Sequence, residues 1–183
     1  MSYNVPSYDK TRFSFGPGVL YMGAPGSTPL IEVGAVKGNA EISIERSMLE
    51  IKQGSPQVLV EQYVVAEQGN VKVTGIEWKL DNLAYVLGAG VTALNGAEET
   101  LEFGGDMAMA DRAIRFVHRT PDGSTIDIHC FRVQGVGKIA VTLNETDTHE
   151  FPYEFKMLEG ATDFTAQALA DKKKLLKIIR TKA

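Results

Sequence analysis

One cysteine, three histidines and one tryptophan occur in 183 residues, and each scarcity excludes something. Cys130 alone cannot form an internal disulfide, which fits a reducing compartment. In the run Ile126-Asp127-Ile128-His129-Cys130-Phe131 it falls on the apolar parity and reads as a small buried hydrophobe, not a nucleophile. His118, His129 and His149 are scattered, and no pair has metal-ligand spacing with a cysteine or carboxylate, so no metal is expected. No apolar run approaches the length that crosses a bilayer, so no membrane contact is expected. The first ten residues lack the basic-then-apolar layout of a secretory signal, which points to synthesis in the cytoplasm and empties the Asn144-Glu145-Thr146 sequon of meaning.

Catalytic motifs are missing too. Gly135-Val136-Gly137-Lys138 would need a glycine at Arg132 and a hydroxyl at Ile139 to be a phosphate loop. Gly88-Ala89-Gly90-Val91-Thr92-Ala93 follows a helix, whereas a dinucleotide fingerprint follows a strand and opens one. No serine lies in a Gly-x-Ser-x-Gly elbow. The expectation is a protein that is not an enzyme and needs no cofactor.

What is present is ordinary globular material: 44% hydrophobic and 23% charged residues. That suits one domain over residues 1–183, long enough to remove roughly 70% of its unfolded surface from water. A terminal arm of residues 1–14 and a basic segment of residues 162–183 flank its body. The net charge of −4 is unevenly spread. All 23 acids and 13 of the 19 basic residues lie in residues 1–171, a balance of −10. The other six, Lys172, Lys173, Lys174, Lys177, Arg180 and Lys182, follow with no acid among them. An acidic body with a basic tail can attract its own neighbours and repels nucleic acid over most of its surface.

Period-two patterns dominate the chain. Asn39-Ala40-Glu41-Ile42-Ser43-Ile44-Glu45-Arg46 alternates polar and apolar side chains, as a strand with one buried and one wet face does. Residues 51–56 interrupt it as a long loop, and residues 58–65 start another strand. Gly69-Asn70 reads as the hairpin turn into residues 71–78. Phe15-Gly16-Pro17-Gly18 is turn chemistry, with strands at 19–22 and 30–37 after it. Asp81 is the expected N-cap of a short helix over 82–87, with Leu80, Leu83, Val86 and Leu87 on one face and Gly88 as the stop. Beyond a Gly/Asn-rich connection come a strand at 100–103, closed by Gly104-Gly105-Asp106, and paired strands at 112–119 and 124–133 around Thr120-Pro121-Asp122-Gly123. Further strands are expected at 138–143, after a turn at 135–137, and at 150–158. Ala168, Leu169, Leu175, Leu176 and Ile179 fall near helical spacing and predict a C-terminal helix. Many short strands with Gly-rich turns predict a mainly β fold, an antiparallel sandwich or barrel flanked by the short helix.

The run VGAVKGNAEISIERSMLEIKQGSPQ, followed by NVKVTGIEWKLDNLAYVLG and later by EFPYEFKMLEG, resembles the major tail tube proteins of long-tailed, siphovirus-like bacteriophages over roughly residues 14 to 160. The resemblance implies a phage tail tube fold with a protruding loop, assembled as hexameric rings stacked into a hollow tube. It implies a place in the virion tail after assembly in the host cytoplasm. Implied partners are other copies of the chain, tape-measure, tail-tip and tail-terminator proteins, and DNA that passes without specific binding.

Two constellations acquire a role in that setting. Glu41 and Glu45, with Ser43 between them, are either a solvated strand face or a lumen lining; a ring turns each acid into a circle that a DNA phosphate passes without adhering. Asp127 and His129 are the next lumen candidates. Arg46, Met48, Leu49, Ile51 and Gln53, in the segment 46–57, form either a flap over the domain's own core or an arm that packs on the next subunit, for which methionine is well suited. The Lys172, Lys173, Lys174, Lys177 and Arg180 tail is expected to meet an acidic neighbour. Two alternatives stay open: the tube protein of a bacterial secretion or contractile injection system, and a monomeric β-sandwich binding module.

Overall fold

The computed structural model describes residues 18–28, 30–88, 90–105, 108–141, 143, 145–163, 168–169 and 174–183. The expected 1–14 arm, the Phe15-Gly16-Pro17 turn residues, Asp106, Lys172 and Lys173 lie outside them. Among the described residues ten strands and one helix follow in the order β1 (Gly18–Gly23), β2 (Ile31–Glu32), β3 (Val36–Gln53), β4 (Val58–Gly75), α1 (Leu80–Leu87), β5 (Val91–Asn95), β6 (Glu98–Glu102), β7 (Arg112–Arg119), β8 (Thr125–Gly135), β9 (Phe151–Met157) and β10 (Leu176–Thr181). The fold is mainly β and antiparallel, as its alternating sequence requires. It is one open sheet in the order β2-β1-β7-β8-β9-β4-β3, with β10 paired to β8 and β5–β6 standing apart as a hairpin. The sheet does not close into a barrel.

One face of the sheet holds the core. Val71 and Val73 of β4, Phe151, Tyr153 and Phe155 of β9, Ile114 of β7 and Cys130 and Val133 of β8 are all buried there. Cys130 is fully enclosed, and burial pushes its thiol up to about 12, so it packs as a hydrophobe. Helix α1 lies on this face through Leu83 and Val86. Its seat is Gly135 of β8: a Cβ there would stand 1.9 Å from the Val86 carbonyl oxygen, so only glycine lets helix and strand backbones meet. Buried Asn82 donates from Nδ2 to the Val33 carbonyl at 2.7 Å and ties the helix to the link between β2 and β3. Gly88 ends it in the left-handed region, at φ 72°.

Several sequence expectations give way. Gly69-Asn70 is no turn: β4 runs straight through it, with Gly69 opposite Ile44 on one side and Met157 on the other. The glycine is there for space, since a Cβ would meet Met157 Sδ at 2.5 Å. The loop at 51–56 is a four-residue turn at 54–57, opened by Gly54 at φ 98°, and most of segment 46–57 is strand. Residues 30–37 split into β2 and the start of β3. The helix begins two residues earlier than expected, with Lys79 as N-cap; Asp81 sits inside its first turn, where a carboxylate favours the helix dipole.

Residues 138–141 are not a strand, because Val136 and Gly137 donate instead to the carbonyls of Glu154 and Val86 and turn the chain away. The C-terminal helix is overturned over 176–181. Leu176 to Thr181 pair residue for residue with Cys130 to Thr125 of β8, and adjacent β-branched Ile178 and Ile179 suit that ladder. The connection between the helix and residue 100 contains β5, closed on β6 by a two-residue Gly96-Ala97 turn between paired Asn95 and Glu98, with Gly96 at φ 66°.

Candidate assembly interface

β3 and β4 begin as core strands and end as something else. From Val36 to Ile42 and from Gly69 to Gly75 they are the edge of the sheet, supported by β9. The contact with β9 stops at Gly69. Past that point the two strands continue only with each other, over residues 44–53 and 58–68, a two-stranded ribbon that spans roughly 33 Å at strand rise. Two register shifts, between Ser47/Met48 and Ile51/Lys52, leave Val65 and Val60 as the extra residues on β4. Such bulges sharpen the twist of a ribbon.

The ribbon's composition contradicts its surroundings. Ten of the twenty large apolar side chains exposed among the described residues lie on it, and Val58, Val60 and Val65 each expose 60% or more. Opposite residues share a face, so Met48/Val64 lie on the face continuous with Ile42 and Val71, and Leu49/Tyr63 with Ile51 on the reverse. Polar pairs are interleaved: Arg46 Nε lies 2.8 Å from Glu67, Lys52 Nζ 2.7 Å from Glu50, and Gln62 donates to Glu50 at 3.3 Å. The Lys52 ammonium beside Glu50 holds its carboxyl below the usual range. Pairs this exposed contribute little, about 0–1 kcal/mol each. They fix the ribbon's form without giving it a core. The arm residues Arg46, Met48, Leu49, Ile51 and Gln53 are thus all on the ribbon, and none covers the subunit's own core.

Glu41, Ser43 and Glu45 lie together on the face opposite the core. Their neighbours change the electrostatics expected of them. Lys72 stands opposite Glu41 and reaches Glu154 at 3.4 Å, Asn70 stands opposite Ser43 with Lys156 beyond it, and Gln68 donates to Glu45 at 2.8 Å. Three carboxylates share this patch with two ammonium groups, so its charge is close to balanced. Asp127 is elsewhere, clasped by Arg115 from β7 and by His129, whose Nε2 lies 2.8 Å away. Burial pushes the Asp127 carboxyl up, but Arg115 and then His129 outweigh it and leave it below the usual range.

The strand expected at 58–65 is present within β4, but its place as the second half of an exposed ribbon, 58–68, follows only from the register. The strand expected at 100–103 is β6, which begins two residues earlier and so carries Glu98 and Glu99 as well as Glu102 on an exposed strand; β5 was not expected, and β10 turns Lys177 and Arg180 from helix residues into strand residues. Among the described residues no group of three or more His, Cys, Asp or Glu side chains could hold a metal ion, and no helix is long and apolar enough to cross a membrane. No protein-family model matches the chain, and no curated protein matches it.

Proposed function

We propose that the chain is the subunit of a hollow tube, a structural virion protein of the kind its β3, β4 and β9 sequences resemble in long-tailed bacteriophages. Rings, hexameric by that resemblance, stack so that DNA passes through them, with tape-measure, tail-tip and tail-terminator proteins at the ends. The observation that carries the reading is the ribbon of residues 44–53 and 58–68, apolar on both faces and, among the described residues, unpaired along both edges. A monomer keeps no use for ten exposed large apolar side chains on one protrusion. Packed against another copy, they leave water at about 25 cal/mol for each Å² of apolar surface. The open sheet adds unpaired backbone at β2, β3 and β10, which natural proteins cover or pair. Glu41 and Glu45 remain the proposed lumen face, with weaker repulsion of DNA than uncompensated acids would supply.

The test is negative-stain microscopy of the purified chain, with sedimentation across a concentration series. The reading expects rings or tubes above a critical concentration. A sharp monomer at all concentrations, with or without tail-tip nuclei, would favour the binding module instead.

A further inference from the structure

Among the described residues β10 and β6 are each paired on one side only, β10 with β8 and β6 with β5. Their charges are opposite. β10 and its flanks carry Lys174, Lys177, Arg180 and Lys182, whereas β6 carries Glu98, Glu99 and Glu102. No ion pair engages Lys177, Glu98, Glu99 or Glu102 among the described residues, while Arg180 lies 3.7 Å from Asp122. Both strands also present exposed apolar surface, Ile178 within β10 and Phe103 just beyond β6. Within one subunit the two strands are not packed together.

We infer that β10 of one copy adds as an antiparallel strand to the free edge of β6 in a second copy. A single register satisfies both strands. With Ile178 opposite Leu101, Lys177 falls opposite Glu102 and Arg180 opposite Glu99, while Leu176 meets Phe103 and Ile179 meets Thr100. Opposite residues share a face, so each of these cations has its acid, Leu176 and Ile178 have apolar partners, and Ile179 meets the β-branched Thr100. A shift by one residue places Ile178 opposite Glu102 or Thr100 and breaks the match. The backbone ladder supplies attraction and the charges select the register. Because the two surfaces differ, the contact is head to tail and closes into a ring when its rotation allows. This inference rests on the self-assembly reading and names which edges meet.

Two charge-reversed variants test it. K177E/R180E presents acid against acid, and E99K/E102K presents base against base, so each alone should raise the concentration needed for assembly by roughly ten- to thirtyfold. An equimolar mixture pairs each reversed β10 with a reversed β6, and each native β10 with a native β6, and should assemble as the wild type does. That recovery also shows both variants folded. A second measurement fixes register: K177C/E102C should give a reducible ladder of linked subunits on oxidation, and K177C/L101C should not. Cys130 is buried and stays silent. Wild-type rings with no rescue in the mixture and no ladder would overturn the edge pairing while leaving self-assembly intact. A wild-type chain that never leaves the monomer would overturn both.

Discussion

The two ends of β3 and β4 are one pair of strands in two environments. At the base, Ile42 and Val71 face a core made by β9 and α1, while Glu41 and Lys72 face water. At the tip, Met48/Val64 and Leu49/Tyr63 lie on opposite faces and both are exposed. The side chains at the tip are no less apolar than those at the base. What differs is the third strand: β9 ends at Met157, and the burial ends with it. A strand's sequence states that a face will be covered, but not by which chain.

The largest effect on the subunit should come from its base. Phe155→Ala removes a fully buried ring and should cost about 3–5 kcal/mol, roughly 6–20 °C of Tm for a chain this size by calorimetry. Gly135→Val should act similarly, because its side chain would drive Val86 and α1 off the sheet. At the tip the order reverses. Replacing Met48, Leu49 and Ile51 together by serine should leave Tm within a few degrees, since exposed positions change stability by about 0.5 kcal/mol or less each. Assembly should fail in the same variant. A fall in Tm matching that of Phe155→Ala would make those three residues part of the subunit's own core.

A smaller effect sharpens the contrast by pH. At the β7–β8 turn the Thr120 hydroxyl, then the Ser124 hydroxyl and amide, hydrogen-bond the Asp122 carboxylate and hold its pKa at about 2, below an ordinary 3.8. A lowered folded-state pKa stabilises above the unfolded value and loses that contribution as pH falls toward 2. Asp122→Asn should therefore lower Tm at pH 5 and converge on the wild type near pH 2. A difference between the two that stays constant from pH 5 to pH 2 would mean that the carboxylate's charge plays no part. The smallest effect on the fold should come from Glu41→Lys with Glu45→Lys, on a wet face. Tubes of that variant should retain DNA that wild-type tubes release, and retention should fall as salt rises. Equal retention would turn those glutamates outward.

How far the sequence could be read follows the same division. The β7–β8 hairpin was legible because Pro121-Asp122-Gly123 allows little but a turn, and α1 because Gly88 can end a helix where its neighbours cannot. Gly69-Asn70 misled because a glycine that admits a neighbouring side chain looks like a glycine that turns the chain; Met157, 88 residues away, decides between them. The tail misled because Leu175, Leu176 and Ile179 fit a helical stripe as well as a strand, and the free edge of β8 settles the matter. The β5–β6 hairpin was not legible because its turn is Gly96-Ala97, and a glycine in a Gly/Asn-rich stretch does not by itself say which residues pair across it. In the proposed interface, Met48, Leu49 and Ile51 stood out for want of a local partner, while their cross-strand partners on β4 required the register to be found.

Amide hydrogen exchange along residues 58–68, followed against protein concentration, tests the central claim most directly. In the dilute subunit the β4 amides that point away from β3 should exchange freely, because no third strand among the described residues accepts from them, while Val71 and Val73 stay protected by β9. On concentration those ribbon amides and their apolar neighbours should become protected together with the appearance of the assembled species. Protection of residues 58–68 that is already complete in the monomer, and unchanged on concentration, would contradict the account.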